Sequence, residues 1–330
     1  MPVLIVDQNE VRSLLTMPAC IEAMVGALTA VSAGEALLPV RTVLRLPGGQ
    51  RFFGAMPAYL DSLPALGIKV LTVMLGNHGT PLDSHQGATL LFDTTDGRLL
   101  CILDATSITA IRTAAVSGVA TRALARRGAG DLAVLGAGVQ ARTHIAAMAA
   151  VLSLRRVRVW SRSAEGARQF AAAAVSPVPV EPCATAREAV EGADVICTVT
   201  SSPAPVLSGA WIAPGAHINA VGASRPETRE LDSDAVARAR LYVDSRAAAM
   251  VEAGEFLIPR SEGRIDDRHV VGEIGEVLLG RILGRQAPEE ITLFKSLGLA
   301  VEDVAAARLI YDRARSEKRG IEVEIGGRRE

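Results

Sequence analysis

The segment Asp131-Leu-Ala-Val-Leu-Gly136-Ala-Gly138-Val139-Gln140-Ala141 constrains the fold of this chain more than any other. A short apolar run leads directly into Gly-x-Gly-x-x-Ala, and helical spacing follows it. In such a strand–turn–helix the first glycine permits a tight turn, and the second lets a pyrophosphate approach the backbone. The small third residue lets helix and strand pack closely. The helix start then offers N–H groups and the positive end of its dipole to phosphate oxygens. An incidental glycine-rich turn would account for the glycines but not for their context.

The surroundings of that motif alternate strictly between strand and helix. Strands are expected at Leu132–Leu135, Arg156–Trp160, Val178–Val180, Val195–Val199, His217–Val221 and Leu241–Val243. Helices are expected near Val139–Leu152, Ala164–Ala174, Ala186–Glu191 and Ser233–Ala239. This alternation implies a doubly wound parallel sheet, a Rossmann α/β domain. Before it, residues 39–103 carry short β runs cut by Pro-Gly-Gly, Gly-Asn and Asp-Gly turns. Asp96-Gly97 between two apolar runs signals a hairpin, and the whole stretch reads as a mostly antiparallel sheet. A short strand (Val3–Val6) and a helix around Pro18–Ala33 open the chain. A long Ala-rich helix covers Ala105–Arg127, and Pro288–Lys318 reads as helical again, with a frayed, charged end from Gly326. With 330 residues, 49% of them hydrophobic, two ordinary domains and a sizeable core are expected.

Composition removes several function classes. A net charge of −1 gives no general attraction to nucleic acid or to an anionic membrane. Cys20, Cys101, Cys183 and Cys197 lie far apart, which suits small core residues in a reducing compartment. The N-terminus has no basic segment followed by an apolar one, and the charge-free run Val195–Ser224 contains three prolines, so neither a signal peptide nor a membrane span is expected. A cytoplasmic protein follows. His78, His85, His144, His217 and His269 have no ligand spacing, so no metal is expected, and no Gly-x-Ser-x-Gly elbow supports hydrolysis.

Cofactor choice is written after the second strand of such a domain, where an acidic residue favours NAD and basic or hydroxyl groups favour NADP. Here the strand runs into Ser161-Arg162-Ser163 without Asp or Glu. Arg162 offers a planar donor fork to a phosphate, and either serine a hydroxyl. NADP(H) is therefore the preferred cofactor, with NAD(H) left open; an arginine on a solvated turn is the alternative. Thr200-Ser201-Ser202 and Val221-Gly222-Ala-Ser224, after the fourth and fifth strands, should line the same crevice.

Arg41, Lys69 and Arg112 each sit among apolar neighbours. Singly, each reads as a snorkelling or paired cation. Three in one domain suggest a pocket for a carboxylate.

Five segments, in order, resemble the ornithine cyclodeaminase/mu-crystallin family: Gly67-Ile-Lys69-Val, Ile108-Thr-Ala-Ile-Arg112-Thr113-Ala-Ala, the glycine turn at Gly136–Ala141, Asn219-Ala-Val-Gly222 and Phe294-Lys-Ser-Leu297-Gly298. The resemblance implies a homodimer. Its substrate and dimerisation domain would comprise residues 1–115 with 300–330, and its Rossmann domain residues 116–299. It implies that Arg41, Lys69 and Arg112 bind the substrate carboxylate, and it adds Thr113 and Leu297 to the cofactor residues. True cyclodeaminases carry an Asp in the fifth-strand loop, where this chain has Ser224. A serine cannot act as the same base near neutral pH without an activating partner. The Ala-Ser-Arg-Pro string and the Ser-Arg-Ser turn resemble the ketimine reductase branch instead.

The expected activity is thus NAD(P)H-dependent reduction of a ketimine bearing an α-carboxylate, such as a five- or six-membered cyclic imine, to proline or pipecolate. The three cations would hold the carboxylate with the imine carbon against nicotinamide C4. Lys69, directly or through a water, is the first candidate proton donor, ahead of Ser224. Ornithine cyclodeamination, reductive amination of an oxo acid such as pyruvate, and ligand binding beside NADPH with little turnover are the alternatives.

Overall fold

A computed structural model of the protein describes residues 2–77 and 80–327. His78 and residues 328–330 of the charged end lie outside the described residues. The chain opens with β1 (Val3–Val6), α1 (Gln8–Leu14) and α2 (Met17–Ala33). Next come strands β2 (Ala36–Leu37), β3 (Thr42–Arg45), β4 (Arg51–Leu60), β5 (Ala65–Met74), β6 (His85–Phe92) and β7 (Leu99–Asp104). Helix α3 (Ala105–Leu124) leads to β8 (Asp131–Leu135), α4 (Val139–Val151), β9 (Arg156–Trp160), α5 (Ala164–Ala173) and β10 (Val180–Pro182). Then follow α6 (Ala186–Val190), β11 (Val195–Thr198), β12 (His217–Ala220), α7 (Ser233–Arg238), β13 (Ala239–Val243), α8 (Arg246–Glu252) and α9 (Gly254–Ser261). The last elements are β14 (Val270–Glu273), α10 (Ile274–Leu278), β15 (Ile291–Lys295), α11 (Ala300–Glu317) and β16 (Ile321–Val323).

The fold divides into two compact units, Met1–Arg112 with Leu299–Glu330, and Thr113–Gly298. In the first unit β4 to β7 form an antiparallel meander, and Gly97 takes φ +74° in the turn between β6 and β7. Strand β1 adds to β7 in parallel and to β16 antiparallel. Along β4, Phe52, Met56, Ala58 and Leu60 turn inward in period two, and α11 lies on that face across β4, β5 and β6 with α2 beside it. Gly67 sets how closely α11 approaches. A Cβ there would come within 3.0 Å of Val304 Cγ2 and 2.7 Å of the Leu90 carbonyl. The other face of the meander is apolar as well. The cross-strand rows Ala55–Val70–Ala88, Pro57–Ile68–Leu90 and Tyr59–Leu66–Phe92 are half-buried or exposed.

The second unit is a wholly parallel eight-stranded sheet in the order β10-β9-β8-β11-β12-β15-β13-β14, flanked by helices, the Rossmann architecture expected from the alternation. The strand order reverses at β8 and β11, which is where ligands bind in open α/β sheets. One expectation is corrected here. Pro288–Lys318 is not one helical stretch, because Ile291–Lys295 is a fully buried strand lying between β12 and β13. The helix begins only at Ala300, after Gly298 with φ +81°. The third short strand also sits later than expected, at Val180–Pro182 rather than Val178–Val180. Among the described residues no single helix is long and apolar enough to cross a membrane.

Candidate active site

The glycine turn lies at the end of β8, with its geometry fixed by two contacts. Gly136 takes φ +125°, and a Cβ there would stand 2.8 Å from the Val199 carbonyl at the end of β11. Its N–H donates to the Trp160 carbonyl at the end of β9 (2.8 Å). Gly138 is the N-cap of α4 and provides no side-chain cap, and a Cβ built there meets nothing within 4 Å. The N-terminus of α4 thus carries no side-chain cap and has room beside Gly138, an arrangement that suits a pyrophosphate, while Ala141 is fully buried. Val139 is exposed and Gln140 half-buried beside them.

At the tip of β9, Ser161 Oγ donates to the Ser163 carbonyl (2.8 Å), and Ser163 Oγ accepts from the Gly166 N–H (3.1 Å) as the cap of α5. Arg162 and Ser163 are exposed there, Ser161 is half-buried, and no carboxylate lies within the turn.

Past β11 and β12, Thr200 and Val221 are half-buried, Ser201, Gly222 and Ser224 are exposed, and Thr113 on α3 is buried. Both loops converge on the buried carboxylate of Glu230. Leu297 is buried, and its N–H and that of Gly298 donate to Asp244 (2.5 and 2.8 Å). Burial pushes the Asp244 carboxyl up against these hydrogen bonds. Lys295, in the same segment, is fully buried. Its ammonium donates to the carbonyls of Ala220 (3.2 Å) and Ala223 and pairs with Glu255 (3.2 Å).

In the first unit the structure joins two of the three cations. Lys69 Nζ lies 2.6 Å from Asp303 Oδ2, Arg112 Nε 3.0 Å from Asp303 Oδ1, and Arg112 NH1 2.7 Å from Glu302 Oε2. Lys69 is 2% exposed and Arg112 4%, so these charges are compensated in place rather than hydrated. Three-donor ammonium and five-donor guanidinium groups keep donors beyond those bonds for a further anion. Arg41, half-buried between β2 and β3, lies within electrostatic reach of Lys69. Burial pulls the Lys69 ammonium down from 10.5 to about 8; the Asp303 charge opposes this, and Arg112 and Arg41 add to the fall. Burial alone would raise the Asp303 carboxyl, but Arg112 and Lys69 hold it below its ordinary value.

His144, His217 and the four cysteines serve the core. His144 Nε2 lies 3.0 Å from Ser117 Oγ and His217 Nδ1 3.0 Å from Thr292 Oγ1. Burial lowers the two imidazoles to about 4 and about 3, so both stay neutral. All four cysteines are buried and free.

A family model described as the ornithine cyclodeaminase/mu-crystallin family matches residues 2–318. The chain belongs to the ornithine cyclodeaminase/mu-crystallin family. The ketimine reductase mu-crystallin of Mus musculus is 44% identical over 305 residues, 92% of this chain and 94% of the relative. A solved Delta(1)-pyrroline-2-carboxylate reductase of Thermococcus litoralis, in complex with NADH and L-proline, superposes with TM-score 0.94 at 36% identity. It covers 97% of this chain and 100% of that one. An archaeal alanine dehydrogenase, described as a dimer with bound NAD, superposes with TM-score 0.91 at 32% identity over 99% of this chain and 100% of that one. All three family members are named as enzymes working on carbon–nitrogen chemistry, in keeping with the oxidoreductase expected from the motifs.

The sequence did not mark the buried carboxylates Glu302 and Asp303 of the first unit, or Glu230 and Asp244 of the second. Glu302 and Asp303 occupy the first turn of α11, where acids are common because they complement the helix dipole. Asp244 had a usable signal, an acid directly after a buried strand in a sheet whose strand ends form the ligand crevice.

Proposed function

We propose that this chain is a cytoplasmic, homodimeric, NADPH-preferring reductase of cyclic ketimines bearing an α-carboxylate. It would take Δ1-pyrroline-2-carboxylate or Δ1-piperideine-2-carboxylate to proline or pipecolate. The observation that carries the reading is the buried arrangement in which Asp303 links Lys69 to Arg112. It supplies a fixed guanidinium for a carboxylate and, in Lys69, an ammonium whose proton burial has loosened from 10.5 to about 8. The relationship to a ketimine reductase and to a reductase holding L-proline supports the same substrate class.

Gly136, Gly138, Val139, Gln140 and Ala141 would receive the pyrophosphate. Thr113, Thr200, Ser201, Val221, Gly222 and Leu297 would receive the nicotinamide side. Ser161, Arg162 and Ser163 would take the adenosine phosphate that distinguishes NADP. When bound, the dinucleotide supplies the hydride. Arg41 and Arg112 hold the carboxylate, and Lys69 orients the imine nitrogen and gives it a proton, which makes the carbon a better acceptor. Asp303 keeps Lys69 and Arg112 in register. Ser224 replaces the carboxylate that cyclodeamination would need.

The test follows NADPH and NADH oxidation with the two cyclic imines, beside ammonia release from ornithine with NAD⁺. Rapid, NADPH-preferring imine reduction without ornithine deamination is expected. Ammonia and proline from ornithine without net cofactor change would overturn the assignment. Turnover only with pyruvate and ammonia would make the chain a reductive aminase, a reading its relationship to an alanine dehydrogenase also favours.

A further inference from the structure

Glu230 is fully buried between two strand-end loops, yet none of the motifs above requires a carboxylate there. It accepts four hydrogen bonds. Oε1 receives the Thr200 N–H (2.6 Å) and Thr200 Oγ1 (2.7 Å); Oε2 receives Thr198 Oγ1 (2.8 Å) and the Gly222 N–H (2.7 Å). One side chain thereby ties the loop after β11 to the loop after β12. The clamp is tight. A Cβ on Gly222 would stand 2.0 Å from the Thr200 carbonyl and 2.7 Å from Glu230 Oε1. On its other side the β11 loop abuts the glycine turn, through the Val199 carbonyl against Gly136. Glu230 is held in turn. Its N–H donates to Glu255 (3.0 Å), which pairs with Lys295. Its carbonyl accepts from Val206 and Leu207 (2.7 and 3.0 Å).

We propose that Glu230 is a positioning residue for the nicotinamide half of the dinucleotide site, fixing the spacing of the Thr198–Thr200 and Val221–Gly222 loops. The inference rests on the dinucleotide reading above. Its chemistry demands an acceptor on both oxygens. Each oxygen faces a backbone N–H that cannot reverse its role, so a glutamine in either orientation would set its NH₂ against one of them. One loop is released while the other stays tied. Because the adenylate half belongs to the β9 tip, on other elements, loosening these loops should weaken only what the nicotinamide half contributes.

The experiment measures equilibrium binding of NADPH and of its adenosine bisphosphate fragment, with NADH and AMP in parallel, to the native chain and to Glu230→Gln. A Thr198→Val variant removes one donor at constant shape and serves should Glu230→Gln not fold. Loss of one loop tether is expected to weaken NADPH about tenfold or more while the fragment binds as before. Thr198→Val should show a smaller loss of the same kind. Unchanged NADPH affinity in the variants, or equal weakening of NADPH and fragment, would overturn the positioning role. A native chain that binds neither dinucleotide would remove the cofactor reading itself and the inference with it.

Discussion

An ammonium as deeply buried as that of Lys69 keeps its charge near neutral pH because Asp303 opposes the loss of hydration. The sign of the pH dependence follows. With its proton held to about 8, the acid form declines as pH rises through that value, and kcat/KM for imine reduction should fall on the alkaline side. Asp303→Asn removes the charge that supports the ammonium, so the alkaline limb should move to lower pH. It also leaves two buried cations short of a partner, at about 3–5 kcal/mol of stability. Lys69→Met should lower turnover by ~10²–10⁴-fold, and its pH profile separates the titration of the enzyme from that of the imine. Near-native turnover in Lys69→Met, or an alkaline limb that persists in it, would end the role assigned to Lys69. The cations were legible because a charge among apolar neighbours is costly unless something receives it. Their partners were not, because an acid on the first turn of a helix already has a local reason to be there. The same applies to Glu230, whose neighbours Arg229 and Leu231 give no hint that its carboxylate is buried.

At the scale of elements the glycine turn was the most readable feature, since backbone conformation and residue type determine one another there. At Gly136 both conditions hold together, a φ of +125° and a carbonyl 2.8 Å from where a Cβ would lie. Gly136→Ala should therefore destabilise the protein by about 1–3 kcal/mol and weaken dinucleotide binding, read by thermal unfolding and by titration with NADPH. An alanine variant with native stability and affinity would show that the turn tolerates a side chain. Strand β15 was harder to see. Ile291-Thr-Leu-Phe-Lys295 is a short apolar run whose periodicity fits a buried strand or a buried helix turn equally, and Pro288 just before it resembles a helix start. Only the neighbours β12 and β13, distant in sequence, decide the matter. Strands with a helix of their own on either side, such as β8 and β9, carried their context with them.

At the scale of the whole molecule, the first unit has a sheet covered on one face by α11 and apolar on the other. An antiparallel sheet facing water on one side alternates apolar with polar residues. Here Ile68, Val70, Leu90 and Phe92 occupy positions on the outer face of β5 and β6, with Ala55, Pro57 and Tyr59 beside them on β4. The homodimer proposed above would place a second copy of the chain on this face; an archaeal relative is described as a dimer. A stable pair of this kind buries roughly 800 Å² per partner. If this face supplies that area, the protein should sediment as a dimer, and its melting temperature should rise with protein concentration, since association stabilises the folded chain by mass action. Ile68→Glu with Leu90→Glu would put unpaired charges into the contact. At about 3 kcal/mol for each of the four charges a symmetric pair would carry, the dimer dissociation constant should rise by roughly eight orders of magnitude. The double variant should then sediment at the mass of one chain at micromolar concentration and melt independently of concentration. Should it remain dimeric, the outer face of β5 and β6 is not the contact. A native chain that is monomeric at every concentration would leave the apolar face without the partner argued for it.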